Sequence, residues 1–214
     1  MSSPLLIFAK APVPGYAKTR LIPALGEQGA ATLQQRMINH VVEEARLSGV
    51  GPVTLYCAPD SYHPLFQQLQ QDHGLGICRQ QGADIGERML HGFEQTLKES
   101  EMAILVGTDC PQLDAKQFQA VHAALQGSEA VVIPALDGGY VLIALRRAFL
   151  DHLPTLFRGI EWGSDQVMEA TRMVLDRSGL EWAELSPLSD IDIEEDLALL
   201  PPQWGVSNPC GLCS

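Results

Sequence analysis

The chain has 214 residues, 46% hydrophobic and 19% charged, with 26 acidic against 14 basic residues and a formal net charge of −12. That apolar content supports a real core and excludes a disordered chain. The acidic balance excludes a general binder of nucleic acid or anionic membrane, whose phosphates it would repel.

The opening "PLLIFAK" reads as a short buried strand ending at Lys10. It is too short for a signal sequence and has no basic flank. No apolar run in the chain approaches the roughly 20 residues of a membrane span, so a cytoplasmic location is expected. A Pro- and Gly-studded loop follows, "APVPGYAKTR", and no acid precedes Glu27. The loop lacks the leading Gly of a GxxxxGK[ST] phosphate loop and any GxGxxG pattern. Its cations, Lys10, Lys18 and Arg20, with the turn at Gly15, suit a diphosphate: Arg20 for a bidentate contact, the lysines as point charges. A solvated surface loop is the competing reading.

From Gly26 to Gly49 the spacing of Leu33, Met37, Val41 and Ala45 predicts a helix. "PVTLYCA" is a strand, "HPLFQQLQQDHG" a helix and "LGICRQ" a short strand. "DIGERMLHGFEQTLKES" is a helix with Met89, Phe93 and Leu97 on one face. Asp84 at its start is either an N-cap or a nucleoside contact, since a helix N-terminus can meet an anion.

"MAILVG" is a continuous apolar strand, and Asp109 follows within three residues. A carboxylate beside phosphates repels them unless a divalent cation lies between, and Mg²⁺ is commonly held by one or two carboxylates plus substrate phosphates. Asp109 is therefore a candidate metal ligand, with Asp114 the better cap for the helix "DAKQFQAVHAALQG". "AVVIPA" and "YVLIAL" are strands joined by "LDGG". Asp-Gly marks a hairpin turn. Asp137 there can also accept from sugar or acceptor hydroxyls, while Gly138 and Gly139 let the backbone come close to a ligand. Trp162, between glycines in "GIEWGSD", either stacks on a sugar or plugs the core edge. A helix "SDQVMEATRMVLDRSG" and a strand "LEWAEL" follow. "SDIDIEED" then offers Asp190 and Asp192 on one side of an extended segment. Asp192 is a second candidate metal ligand, with a solvated acidic run as the alternative.

Strand–helix alternation with continuous apolar strands predicts one α/β domain around a mostly parallel sheet covered on both faces. The domain is expected to span residues 1–200, with 201–214 as a C-terminal tail. Ligands of such sheets collect at the C-terminal strand ends, where these polar stretches fall. Cys57, Cys78 and Cys110 are scattered singly, as in a reduced protein. Cys210 and Cys213 form a lone CxxC, read as a structural or inert tail, with a redox or metal role as the alternative. The six histidines show no metal spacing, and no GxSxG elbow is present.

The stretches "FAKAPVPGYAKTRL", "GADIGERM", "GTDCPQL", "DGGYVLIAL" and "SDIDIEEDL" together resemble the bacterial glycosyltransferase-like family of the arsenosugar-biosynthesis-associated type. That family lies within the nucleotide-diphospho-sugar transferase superfamily, which has the GT-A fold. The resemblance runs from about Leu5 to Leu200. It implies a single GT-A (Rossmann-like) α/β/α sandwich, with phosphate contacts at Lys10, Lys18 and Arg20. It also implies a metal-binding acid at Asp109 and donor or acceptor contacts at Asp137, Gly138 and Gly139. GT-A glycosyltransferases usually carry a DxD after the middle strand, where this chain has Asp109, Cys110 and Pro111. A single acid there, with a second near the C-terminus, is more like the nucleotidyltransferase branch, including the 2-phospholactate guanylyltransferase type.

The expected activity is a metal-dependent glycosyl transfer from a nucleotide-diphosphate sugar to a small-molecule acceptor, with Mg²⁺ or Mn²⁺ on Asp109 and Asp192. Asp109 and Asp137 carry the chemistry. The alternatives are a nucleotidyltransferase that joins a nucleoside triphosphate to a phosphorylated acceptor, and a non-catalytic nucleotide-binding regulator. Neither nucleic acid nor membrane is an expected partner. The oligomeric state stays open, a homodimer included.

Overall fold

A computed structural model of the protein describes residues 2–204. The Cys210/Cys213 pair lies outside the described residues.

Seven strands form one sheet in the order β3-β2-β1-β4-β6-β5-β7. They are β1 (Leu5–Lys10), β2 (Val53–Ala58), β3 (Gly76–Arg79), β4 (Met102–Val106), β5 (Ala130–Pro134), β6 (Tyr140–Arg146) and β7 (Trp182–Glu184). Only β6 runs against the rest, pairing antiparallel with both β4 and β5. Strands β1, β4 and β5 are apolar along nearly their whole length and buried on both faces, as a sheet covered on both sides requires.

Alternate strand residues divide the core. Leu5, Ile7 and Ala9 face one layer with helices α1 (Ile22–Ser48), α2 (Pro64–His73) and α4 (Ala115–Ala124). Leu6 and Phe8 face the other layer, with α3 (Ile85–Glu99), α5 (Leu153–Phe157) and α6 (Val167–Ser178). The expected apolar stripes are all buried: Leu33, Met37, Val41 and Ala45 on α1, and Met89, Phe93 and Leu97 on α3. The backbone of Gly26 is non-helical (φ 70°, ψ 166°), so the long regular run of α1 starts after it. Asp114 caps α4 through a capping box with Gln117. The "EEDLALL" helix is a 3₁₀ turn, Glu194–Leu199. A 3₁₀ turn at Arg147–His152 and the short α5 were not foreseen; their five- and six-residue lengths carry too little periodicity to stand out.

The last segment closes the functional edge of the sheet. Leu188 bridges to Ala135 beyond β5, Ser189 N–H donates to Gln112 Oε1 (3.1 Å) and Ile191 N–H donates to Asp109 O (2.8 Å). Fully buried Ile191 packs with Leu21, Leu33 and Met37. Beyond Pro201 the chain stays on the fold as far as it is described: Trp204 packs edge-on against His40, with ring centroids 5.5 Å apart.

Candidate active site

The loops after β1, β2, β3, β4 and β5 emerge at one edge and enclose two cavities. The larger, about 950 Å³, is lined by Lys10, Lys18, Arg20, Arg88, Asp109 and Asp192, with Phe8, Tyr16, Gln34 and Thr108 among its walls. The smaller, about 360 Å³, is lined by Asp109, Asp137, Gly139, Tyr140 and Trp162 among others. Phe8, Ile85, Gly107 and Asp109 belong to both. The two cavities therefore meet at Asp109.

Asp109 is held from two sides. Thr108 is buried and its hydroxyl accepts from Gln34 Nε2 of α1 at 3.0 Å, while Gly107 N–H donates to Val141 O at 3.2 Å. These contacts set the turn out of β4, and the Asp109 side chain remains half exposed.

Lys18 stands opposite, in left-handed backbone geometry (φ 46°, ψ 50°). For a residue with a Cβ that region is sparsely populated, and neighbouring structure must enforce it. Buried Ala17 and Leu21 flank it. Its side chain is only 4% exposed, and Nζ lies 2.6 Å from Ile191 O, 3.1 Å from Asp109 Oδ1 and 3.4 Å from Asp192 Oδ1. These three acceptors match the three N–H donors of an ammonium. Lys18 thus lines the larger cavity, but its donors are spent on carboxylates and a carbonyl. Arg20, well exposed, pairs with Asp192 Oδ2 at 2.8 Å. The segment carrying Asp192 is held by the Asp196 side chain, whose Oδ2 accepts from the N–H groups of Asp192 (2.8 Å) and Ile193 (2.9 Å).

Asp137 occupies the β5–β6 turn, where its Oδ1 accepts from Gly139 N–H at 2.9 Å. "DGG" forms the turn, and Asp137 and Gly139 also line the smaller cavity. Gly138 plays a different part: a Cβ there would stand 2.2 Å from Asp165 O, so the glycine lets the turn dock on the loop before α6. Trp162 packs at the core edge and borders a cavity as well. It lines the smaller cavity, meets Tyr140 edge-on at 6.4 Å and packs against the helix at Gly86. Burial pushes the Tyr140 phenol well above its ordinary range.

Besides Gly138, two further expected contacts fall outside both cavities. Asp84 is the N-cap of α3, its carboxylate accepting from Glu87 N–H at 2.8 Å. Gly15 shapes the first loop with a positive φ of 79°. Sequence reasoning missed Arg88, Gln80 and Tyr16, which line the larger cavity. Arg88 had a signal, since it is the one cation of "DIGERM", a turn beyond the cap. Asp190, offered beside Asp192 by the same acidic stretch, lines neither cavity but lies close enough to Asp137 and Asp192 to feel their charges. Burial, then the charge of Asp137, raises its carboxyl to about 6, with Asp192 adding and Lys18 opposing. Cys110, beside Asp109, is pushed by burial to about 11, so it is a thiol at neutral pH rather than a nucleophile.

Among the described residues no cluster of three or more His, Cys, Asp or Glu forms a complete metal cage. Asp109 and Asp192 nonetheless converge on one point, as their shared contact with Lys18 Nζ shows. Two carboxylates are the hard-oxygen donors that Mg²⁺ or Mn²⁺ takes when substrate phosphates complete its shell.

Residues 41–164 match the family described as "Uncharacterized protein conserved in bacteria (DUF2064)". The chain belongs to this family. The DUF2064 chain is 30% identical to a protein from Desulfovibrio desulfuricans, provisionally named a nucleotide-diphospho-sugar transferase; the match covers 97% of this chain and 90% of that one, with a TM-score of 0.85. It shares its fold with CMP:2-keto-3-deoxy-manno-octonic acid synthetase complexed with CTP, at 14% identity, 93% and 96% coverage and a TM-score of 0.59. Rv0371c from Mycobacterium tuberculosis, solved in complex with manganese, also has this fold, at 11% identity, 93% and 98% coverage and a TM-score of 0.55. Among curated proteins none matches the chain in sequence. The DUF2064 chain therefore has the expected GT-A-type α/β fold, shared by nucleotide-diphospho-sugar transferases and nucleotidyltransferases.

Proposed function

We propose that this protein is a metal-dependent glycosyltransferase that uses a nucleotide-diphosphate sugar and a small-molecule acceptor bearing a hydroxyl group. The observation that carries the reading is the convergence of Lys18, Asp109 and Asp192 where a cationic cavity opens into an acidic one. The larger cavity has the size of a cofactor or nucleotide site. Its Lys10, Arg20 and Arg88 supply charge for a diphosphate, despite the chain's net −12. The relative from D. desulfuricans supports the same reaction class.

Asp109 and Asp192 would hold Mg²⁺ or Mn²⁺. The ion would supply charge neutralisation on the phosphate oxygens as the sugar–oxygen bond breaks. Lys10, Arg20 and Arg88 bind the diphosphate and stabilise the charge it gains on leaving. Asp137 accepts the proton of the acceptor hydroxyl while that oxygen forms its new bond to the sugar carbon. Gly139 N–H holds Asp137 in place for this step. A cytoplasmic site of action belongs to the same reading, and among the described residues no helix is long and apolar enough to cross a membrane.

Nucleotidyl transfer is the second reading, favoured by one observation: "DCP" stands where a DxD would be expected. The purified protein, given Mn²⁺ and panels of nucleotide sugars and nucleoside triphosphates, separates the two. Release of nucleoside diphosphate from a sugar donor is expected, and Asp109→Asn should lower it about a hundredfold or more. Pyrophosphate release from a triphosphate instead would favour the second reading.

A further inference from the structure

The smaller cavity differs from the larger one in charge. Its charged lining among the described residues consists of two carboxylates, Asp109 and Asp137, and the rest is apolar or aromatic with Gly139, Gly163 and Ser164. The cations Lys10, Lys18, Arg20 and Arg88 all line the other side of Asp109. Tyr140 and Trp162 form a corner, their rings at an interplanar angle of 85°. The Tyr140 hydroxyl points to Met89 Sδ at 3.6 Å, so it presents little polarity to the cavity.

We propose that the smaller cavity receives an uncharged, ring-shaped glycosyl group, and that it excludes anionic sugars and phosphorylated groups. The inference rests on the nucleotide-sugar reading. The two cavities share Phe8, Ile85, Gly107 and Asp109, so a group attached to a diphosphate among the cations of the larger cavity can pass Asp109 into the smaller one. A neutral sugar ring has an apolar face for Trp162 or Tyr140 and hydroxyl groups that donate to Asp137 and Asp109. A carboxylate or phosphate on that ring would meet Asp137, which has no ion-pair partner among the described residues, next to Asp109, whose cation Lys18 lines the other cavity; like-charge juxtaposition of this kind is how sites reject wrong ligands. At about 360 Å³ the cavity is also small among ligand sites, which suits one ring rather than a chain of them.

The test is titration calorimetry of the full chain with Mn²⁺. The ligands are a nucleoside diphosphate, its hexose conjugate and its hexuronate conjugate, all with the same base. The hexose conjugate is expected to bind at least tenfold more tightly than the hexuronate. Asp137→Asn keeps an acceptor for Gly139 N–H while removing one charge, and it should cut that ratio several-fold by improving hexuronate binding. Equal or tighter binding of the hexuronate overturns the inference, as does a hexose that adds no affinity over the bare diphosphate. In both cases the nucleotide reading survives. If neither diphosphate nor conjugates bind, both readings fall together.

Discussion

Lys18 carries the strongest conflict of roles at the site. A nearly buried ammonium is expensive unless paired, and here it is paired with two half-exposed carboxylates and one carbonyl. Those carboxylates are the same ones that would hold a divalent cation. Ammonium and metal therefore compete, and each releases the other's ligands. If so, metal entry frees Lys18 to donate to the diphosphate beside it, and the nucleotide in turn completes the metal shell. Lys18→Met retains the apolar stem and removes the competitor. The nucleotide-free variant is expected to bind Mn²⁺ about tenfold more tightly, a modest share of the several kcal/mol that close charges exert at a protein surface. The same variant should bind a nucleoside diphosphate less well. Free Mn²⁺ measured by paramagnetic resonance reports the first effect directly. A fall in Mn²⁺ affinity would mean that Lys18 orients the carboxylates instead of competing with the ion.

The elements bring these residues together, and α3 shows how little tolerance there is. Gly86 sits in its first turn, where an added Cβ would stand 2.3 Å from both Phe157 O and Trp162 Nε1. Helix propensity alone favours Ala over Gly by about 1 kcal/mol. Packing argues the reverse: overfilling a tight contact costs about 1–3 kcal/mol, and one of these neighbours is backbone. Gly86→Ala is therefore expected to lower the melting temperature and displace Trp162, seen as a shifted indole emission. A gain in stability would show that propensity wins. This contact was not legible in the sequence, since it joins α3 to a loop more than 70 residues away. The strands and helices were legible because burial imposes a period, as in Met89, Phe93 and Leu97 on α3 or the unbroken β4. Local caps were legible too, and Asp114 took its predicted place. For the candidate site the sequence named most of the wall, Lys10, Lys18, Arg20, Asp109, Asp137 and Asp192. It did not show that Lys18 would spend its donors on acids, because that depends on Ile191 N–H holding to Asp109 O across the sheet edge. Asp84 resolves differently: of its two readings the structure shows the N-cap of α3, at the same sheet edge but outside both cavities.

At the scale of the molecule, acids and cations from distant parts of the chain meet where the function is proposed. Asp109, Asp137, Asp190 and Asp192 gather at one sheet edge, and the Asp190 carboxyl records the repulsion: burial first, then Asp137, lifts it from 3.8 to about 6. Because the folded-state value lies above the unfolded one, the folded protein binds this proton more tightly. The contribution to stability is full below about pH 4 and is lost as pH rises through about 6. Above that range the ionised Asp190 weighs against the fold. A two-unit shift corresponds to nearly 3 kcal/mol, and solvent screening of a half-buried carboxyl reduces it to roughly 1–2 kcal/mol. Asp190→Asn removes the charge and keeps the shape. In chelator-containing buffer, so that no cation offsets the acids, the variant should melt several degrees above the wild type at pH 7.5. The gap should narrow through pH 6 to 5 and close near pH 4. Comparing the two proteins at each pH cancels the titration of the groups that do not interact with Asp190. A gap that stays constant with pH would place the effect in packing and not in charge. A variant less stable than the wild type at pH 7.5 would show that the acidic edge costs the fold nothing.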